Sequence, residues 1–330
     1  MIQATQTAVA AKDTLRHISE TERGERGRRA AAGALVLRAV EFAVRGAPDE
    51  FTLLRARAEV DRLEKSAEKT ILLRALRVLE EAGAPGRLSA ALVSYACELE
   101  KTRRLAEADA SITLALALDE GSSATALHAA RLARKVGDRQ RALVLYCAAR
   151  DLDGGDGQIA RLAEVGEAVV SDDAERLLGR VIRRALRAGD AESAAVGLEE
   201  RANLRRAAGN RAGAARDLCL AAARFTDPVD RARAAHALAG AALALGDPDA
   251  ARQALLVALA WGDAPQKDHA RSRLHTLSRD LGDQVGTRRW RSFQRPSLVS
   301  LSAYRPRPVE RSLAPRLLAW RESLGERAAS

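Results

Sequence analysis

Aromatic side chains are scarce in this 330-residue sequence, at about 3% of the residues. The hydrophobic share, 47%, is therefore carried by small and aliphatic residues, mainly Ala, Leu and Val. A core of that kind fills by close approach of helices, since few bulky side chains are present to fill gaps. Ala, Leu, Arg and Glu are also strong helix formers. No segment alternates apolar and polar residues between turns, as a half-buried strand would. The sequence predicts an all-α fold.

Short motifs that carry common chemistry are missing too. The sequence has no G-x-x-x-x-G-K-[ST] phosphate loop and no G-x-S-x-G nucleophile turn. None of its 5 histidines is followed by another four residues later. An acidic, glycine-rich loop at residues 151–157 departs from the calcium-loop pattern at the sixth and twelfth positions. We therefore expect no enzyme activity, no metal and no cofactor.

Long apolar runs are also missing. The longest uncharged stretches, such as residues 234–246, fall short of the roughly 18–20 residues that a membrane-spanning helix needs. Residues 1–30 carry Lys12, Asp13 and Arg16 where a secretory signal would have its apolar segment. The 3 cysteines, an odd number, are typical of reduced thiols rather than of a disulfide framework. We expect a cytoplasmic protein that does not bind a membrane.

The charge is one-sided, with 54 Lys and Arg against 44 Asp and Glu and a formal net charge of +10. Only six of the cations are Lys. An excess of this size is typical of nucleic-acid binding. It also follows, more simply, from a GC-rich bacterial genome, which enriches Arg, Ala and Gly without any functional demand.

The most informative feature present is a period. The clearest marks are Gly-Asp or Gly-Asn pairs that begin at Gly137, Gly209, Gly246 and Gly282, separated by 72, 37 and 36 residues. Glycine accepts the left-handed conformation that ends one helix, and the Asp or Asn after it caps the next. A period in this range predicts stacked helical hairpins, which present an extended binding surface and not a closed catalytic pocket.

The residue types at fixed positions counted from each turn, here called slots, repeat as well. A small residue recurs in the first helix, where two helices approach closely: Ala96, Ala130, Gly166 and Ala239. Apolar residues recur in pairs in the second helix: Ala142 and Tyr146, Leu178 and Ile182, Ala251 and Leu255. This pattern resembles the tetratricopeptide repeat, whose first helix reads W-x₂-L-G-x₂-Y and whose second carries A-x₃-F. The resemblance implies a right-handed α-solenoid, and a solenoid of another family is the alternative.

The resemblance covers residues 88–282 and is not uniform. Arg201 and Arg205 occupy slots that are apolar in the other repeats. Upstream, helices are expected at roughly 28–45, 50–64 and 67–82, with slots that match poorly. The predicted organisation is therefore degenerate helical hairpins in 1–87, repeats in 88–282 and an Arg/Pro-rich cap and tail helix in 283–330.

In tetratricopeptide proteins, a peptide or partner helix lies in the concave groove formed by the first helices. Carried over position by position, the resemblance implies these groove residues here: Arg131, Arg134, Lys135, Asn203, Arg206, Arg233 and His236. Guanidinium groups pair with carboxylates, and an amide can bind a peptide backbone. The implied function is a non-catalytic scaffold or adaptor that holds an acidic peptide. Solvated helix faces without a partner are the alternative, and the oligomeric state stays open, including self-assembly through uncapped ends.

The C-terminal segment suggests a second function. Cations alternate with aromatic residues at Arg288, Arg289, Trp290, Arg291, Phe293 and Arg295. Such a pattern can hold single-stranded nucleic acid by stacking and charge, and a nucleic-acid-associated regulator is the alternative function. The same residues also fit a capping helix whose Trp290 and Phe293 cover the open end of the solenoid.

Overall fold

The computed structural model describes residues 25–44, 49–81 and 85–292. These residues form 15 α-helices and no strand, which confirms the all-α prediction. The helices are α1 (Glu25–Val44), α2 (Glu50–Asp61), α3 (Ala67–Glu80), α4 (Pro85–Lys101), α5 (Leu105–Leu118), α6 (Ser123–Val136), α7 (Arg139–Leu152), α8 (Gln158–Val170), α9 (Ala174–Arg187), α10 (Ala191–Ala207), α11 (Arg211–Arg224), α12 (Pro228–Ala244), α13 (Pro248–Trp261), α14 (Ala264–Asp280) and α15 (Gln284–Ser292). None of them is long and apolar enough to cross a bilayer.

The chain divides into two compact units, residues 1–170 and 171–330. In the first unit, α1 to α8 pack each on the next, and the first helices α4, α6 and α8 also contact one another in series. In the second unit, α9 to α15 pack each on the next, and α12 contacts α14. Each unit is therefore a stretch of α-solenoid, as expected. The handedness and the three-part organisation into 1–87, 88–282 and 283–330 stay predictions.

The hairpin turns have the predicted conformation. Gly137, Gly209, Gly246 and Gly282 have φ values of 92°, 80°, 75° and 68°. These values lie in the left-handed region that glycine enters without steric cost. Arg103, at the corresponding turn one repeat before Gly137, has the same conformation at φ 61°.

The predicted caps also form. The Asp or Asn after each glycine accepts a hydrogen bond from the backbone N–H three residues later, at 2.9–3.0 Å: Asp138 from Arg141, Asn210 from Gly213, Asp247 from Ala250 and Asp283 from Gly286. Each bond satisfies a donor that the first turn of a helix leaves unpaired. The pair Gly189-Asp190, just after α9, has the same left-handed glycine (φ 71°), but the repeat period did not indicate it.

The small residue at Gly166 is required by packing, though against a different neighbour from the one expected. A Cβ atom added there would lie 2.2 Å from Cε1 of Tyr146 and 2.3 Å from its Cζ. Tyr146 is 1% exposed and belongs to α7, which precedes Gly166 in the chain, whereas the repeat frame placed the close approach within one hairpin. Tyr146 therefore fills its position only because residue 166 has no side chain.

The first unit also contains a buried ionic network that no motif indicated. Arg104 donates to Oε1 of Glu68 at 2.6 Å and to both carboxylate oxygens of Glu107 at 2.7 and 2.5 Å. The Tyr95 hydroxyl donates to Glu68 at 3.3 Å. All four side chains are buried, and burial beside Glu68 raises the pKa of Tyr95. Because Glu68 is in α3 and Arg104 precedes α5, the network joins helices that are not consecutive.

Candidate partner-binding surface

The first helices of each unit carry the side chains expected to meet a partner. In the first unit we define the first-helix surface as Cys97, Glu100, Lys101, Arg131, Arg134, Lys135 and Glu167, on α4, α6 and α8. In the second unit it consists of Glu199, Asn203, Arg206, Arg233 and His236, on α10 and α12.

Acidic side chains of the protein itself neutralise two of the cations on the first surface. The Lys135 ammonium pairs with Glu100, which lies one hairpin earlier in the chain. Lys101 pairs with Glu98 on its own helix at 3.0 Å. Both lysines are largely exposed, with side-chain exposures of 52% and 73%, so these pairs contribute little to stability. Their effect is to remove two positive charges from the surface as a partner would meet it.

Arg131 differs from these lysines. It is half-buried, and it forms no ion pair within the part of the chain that the structure describes. Burial lowers the pKa of the neighbouring His128, and the positive charge of Arg131 lowers it further. An imidazole with a lowered pKa is neutral at pH 7 and adds no second charge. Arg131 is thus a cation beside the neutral imidazole of His128, which can donate and accept hydrogen bonds. The predicted groove residue Arg134, on the same helix, is also half-buried.

Glu167 is the residue that α8 contributes to the first surface. It accepts two hydrogen bonds of 2.8 Å from Nη1 of Arg150, a second-helix residue. Burial raises the pKa of Glu167, and the charge of Arg150 opposes that rise. Because Arg150 is already engaged by Glu167, this pair adds no net charge to the surface.

On the second surface, acidic side chains likewise neutralise the positive charge of Arg233. Its Nη2 lies 2.9 Å from Glu199, one hairpin earlier, and 2.9 Å from Asp230 on its own helix. The guanidinium also stands 5.6 Å from the centre of the Phe225 ring. Burial raises the pKa of Glu199, and the charge of Arg233 counteracts that rise. The predicted groove cation Arg233 is therefore held by three neighbours.

Asn203 and Arg206 lie exposed at the end of α10. Arg206 donates from Nη2 to the Asn203 amide oxygen at 3.2 Å. No acidic side chain in the described ranges pairs with Arg206. The Asn203 amide nitrogen stays available, because the oxygen is the atom that Arg206 engages. These two residues present a cation and a donor together to solvent.

His236 is half-buried and partly satisfied. Its Nε2 lies 3.1 Å from the carbonyl oxygen of Gln266, while its buried Nδ1 has no hydrogen-bond partner among the described residues. The ring of His269 is 4.9 Å away, centre to centre. Burial lowers the pKa of His236, and His269 and Arg273 lower it further against the effect of the Gln266 carbonyl. This histidine is therefore neutral at pH 7 and adds no charge to the surface.

The C-terminal segment lies at the limit of the described residues. Arg288 is exposed. Trp290 is 6% exposed and packs in the apolar core of the second unit with residues such as Leu274 and Leu277. That burial is what the capping alternative expects. Arg289 and Arg291 are in α15 with side chains that are not described, and Phe293 and Arg295 lie outside the described residues.

Sequence analysis predicted cations on these surfaces, but it did not predict the acidic side chains that pair with them. Glu100 and Lys135 are 35 residues apart, and Glu199 and Arg233 are 34 apart. The corresponding turns are 34 residues apart (Arg103 to Gly137) and 37 apart (Gly209 to Gly246), so each pair joins nearby, though not equivalent, positions of successive hairpins. That spacing is the signal that sequence analysis could have used. Of the seven predicted groove residues, Arg131 and Arg206 are cations that the described structure leaves without an acidic partner.

Comparison with known proteins identifies no family. No protein-family model matches the sequence, and no curated protein matches it. Among solved structures, the crystal structure of a Rap protein complexed with competence and sporulation factor aligns with 98% of this chain and 99% of its own. The identity is 14% and the TM-score is 0.44. A score of this size does not establish a shared fold.

Proposed function

We propose that this protein is a non-catalytic interaction scaffold that binds an acidic peptide segment or helix on its first-helix surfaces. The observation that carries the proposal is the pair of cations without acidic partners in the described residues, one on each surface. Arg131 stands beside neutral His128, and Arg206 stands beside the Asn203 amide. Each site joins one positive charge with a neutral hydrogen-bonding group, which suits a carboxylate and an adjacent peptide bond.

The architecture supports a scaffold for a separate reason. A solenoid repeats one packing unit, so equivalent side chains of successive hairpins line up along a continuous face. The pair Glu100–Lys135 joins successive hairpins of the first unit, and the pair Glu199–Arg233 joins successive hairpins of the second. An extended ligand can then meet the same kind of contact at regular intervals. The ion pair on each surface limits the attraction of that surface for other anions, so the partner needs acidic groups at defined positions.

The test is a charge reversal of both arginines in the full-length chain. Partners are recovered from extracts of the native cells by affinity purification with wild-type protein and with the double variant Arg131→Glu, Arg206→Glu. The matched control is Arg55→Glu, Arg187→Glu, which changes the net charge equally, with one substitution in each unit. Both control arginines are exposed, and they belong to α2 and α9, which carry none of the first-helix surface residues. Every recovered protein is then purified and titrated directly against the three forms.

We expect a protein that binds the wild-type and control forms and loses at least about tenfold in affinity for the double variant. If the partner binds all three forms equally, the proposed surface is wrong. If recovery requires nucleic acid and ends on nuclease treatment, the scaffold proposal is replaced by the nucleic-acid alternative. In that case affinity falls steeply with salt as counterions are released.

A further inference from the structure

The departure of Arg201 and Arg205 from the repeat pattern has a structural cause. Both side chains converge on Asp217 of α11, which is 2% exposed. Arg201 donates from Nε and Nη2 at 2.9 and 2.7 Å, and Arg205 donates from Nη1 at 2.9 Å. Arg205 also donates from Nε to Glu175 of α9 at 2.7 Å. Two slots that are apolar elsewhere thus hold an ionic cluster inside the second unit.

This cluster borders a surface cavity of about 360 Å³, lined by Arg205, Asn210, Arg216, Asp217 and Leu220. Both oxygens of Asp217 already accept hydrogen bonds from Arg201 and Arg205. The carboxylate therefore contributes little free acceptor capacity to the cavity. The other polar side chains of the lining, those of Arg205, Asn210 and Arg216, all carry hydrogen-bond donors.

Arg216 carries the strongest of these donors. Its Nε is buried and has no hydrogen-bond partner among the described residues. No acidic side chain in those residues pairs with its guanidinium, either. A buried donor without a partner costs free energy, and a guanidinium presents its donors in a fixed planar fork that fits an oxyanion. The cavity wall thus holds a cation whose hydrogen-bonding capacity is not used by the protein.

Asn210 adds a neutral donor on the same wall. Its Oδ1 accepts from the backbone N–H of Gly213 at 2.9 Å and so caps α11. That bond fixes the orientation of the amide and leaves Nδ2 free to donate. Nη2 of Arg205 is likewise outside the bonds to Asp217 and Glu175. Leu220 supplies the apolar part of the lining.

The charges around the cavity do not cancel. Three guanidiniums, of Arg201, Arg205 and Arg216, face two carboxylates, of Asp217 and Glu175. One positive charge remains, and it sits on the arginine that the cluster does not engage. Small-molecule sites have volumes of roughly 300–1,000 Å³, so a ligand of a few heavy atoms fits this one.

We propose that this cavity is a binding site for a small organic oxyanion, a carboxylate or a phosphate ester. The oxyanion is held by Arg216, by the Asn210 amide and by Nη2 of Arg205, and the apolar part of the molecule rests on Leu220. The site is separate from the first-helix surfaces and does not depend on the proposed scaffold function. It gives the second unit a small-molecule ligand of its own.

The test is isothermal titration of the purified full-length chain with sodium phosphate and with sodium malonate at matched ionic strength. Phosphate and malonate probe the two oxyanion chemistries separately. Arg216→Met removes the guanidinium but keeps a long side chain. Asn210→Asp keeps the helix cap, since Asp and Asn cap equally well, and replaces the amide donor with a repelling carboxylate. Arg187→Met, at an exposed position of α9 outside the cavity lining, is the matched control for loss of one charge.

We expect saturable binding of at least one probe with a stoichiometry near one. Arg216→Met and Asn210→Asp should each weaken it by about tenfold or more, while Arg187→Met changes it less than about twofold, as expected for an exposed charge. Circular dichroism of each variant checks that the helices are intact. Failure of both probes to bind saturably overturns the proposal. Binding that is unchanged in both cavity variants overturns it as well, because the anion would then sit elsewhere.

Discussion

Replacing Gly166 with alanine isolates one packing contact in the first unit. An added Cβ would lie 2.2, 2.3 and 2.6 Å from three ring carbons of Tyr146, well inside van der Waals contact. The ring is 1% exposed, so it has little room to move away. In an unconstrained helix the same substitution is favourable, because alanine has the higher helix propensity.

The two effects can be weighed against each other. The propensity gain is about 1 kcal/mol, whereas overpacking a filled core costs about 1–3 kcal/mol. Three ring atoms are contacted and the ring is enclosed, so we place the cost near the upper end. The expected net result is a loss of about 2 kcal/mol in the free energy of unfolding.

A double-mutant cycle with Tyr146→Leu separates packing from propensity. Without the ring edge, Gly166→Ala should become neutral or stabilising by up to about 1 kcal/mol. The coupling between the two positions should then be about 3 kcal/mol, the upper end for residues in contact. Urea unfolding followed by circular dichroism measures the free energies. Amide hydrogen exchange in α7 and α8 shows whether the loss is local, since solenoids can unfold in parts.

Gly240→Ala is the matched control. Gly240 is an exposed helical glycine of α12, and a Cβ there would lie 3.9 Å from Arg273 Nη2, an ordinary contact. This variant should gain about 0.5–1 kcal/mol. A Gly166→Ala variant as stable as wild type, or a coupling near zero, would refute the packing of Tyr146 on Gly166.

Two further predictions concern buried ionisable groups. Arg104→Met leaves two buried carboxylates without their cation and should cost about 3–5 kcal/mol, whereas Arg57→Met, which breaks an exposed pair, should cost less than about 1 kcal/mol in urea unfolding. Burial lowers the folded-state pKa of His236 below its ordinary value of 6.5, so its contribution to stability is present above pH 6.5 and is lost as the pH falls toward the folded value. Between pH 8 and 6, His236→Gln should therefore lose less stability than wild type in urea unfolding; parallel curves for the two forms would contradict this assignment.

Local chemistry made much of the fold predictable. The expected helices at 28–45, 50–64 and 67–82 correspond to Glu25–Val44, Glu50–Asp61 and Ala67–Glu80. Gly favours a left-handed turn and Asp or Asn favours a cap, so the regularly spaced pairs at Gly137, Gly209, Gly246 and Gly282 could be interpreted directly. Features of this kind depend on neighbours within about one helical turn.

The candidate site was less predictable, since its charge depends on distant partners. Composition and repeat position put cations on the first helices, but Lys135 and Arg233 are neutralised by acids one hairpin away. The neutral state of His236 comes from burial and from the neighbouring His269 and Arg273. Trp290 has the sequence context of a stacking platform, and only packing shows that its ring is in the core.

The sequence by itself determined the helices, their turns and caps, and the hairpin period, because these depend on residues close together along the chain. The tertiary structure decided which charges stay unpaired and where a cavity opens. Asp217 accepts hydrogen bonds from Arg201 and Arg205, the two arginines that depart from the repeat pattern. The buried Nε of the neighbouring Arg216 has no hydrogen-bond partner among the described residues. Pairing of this kind depends on distances across helices, and residue order alone does not fix those distances.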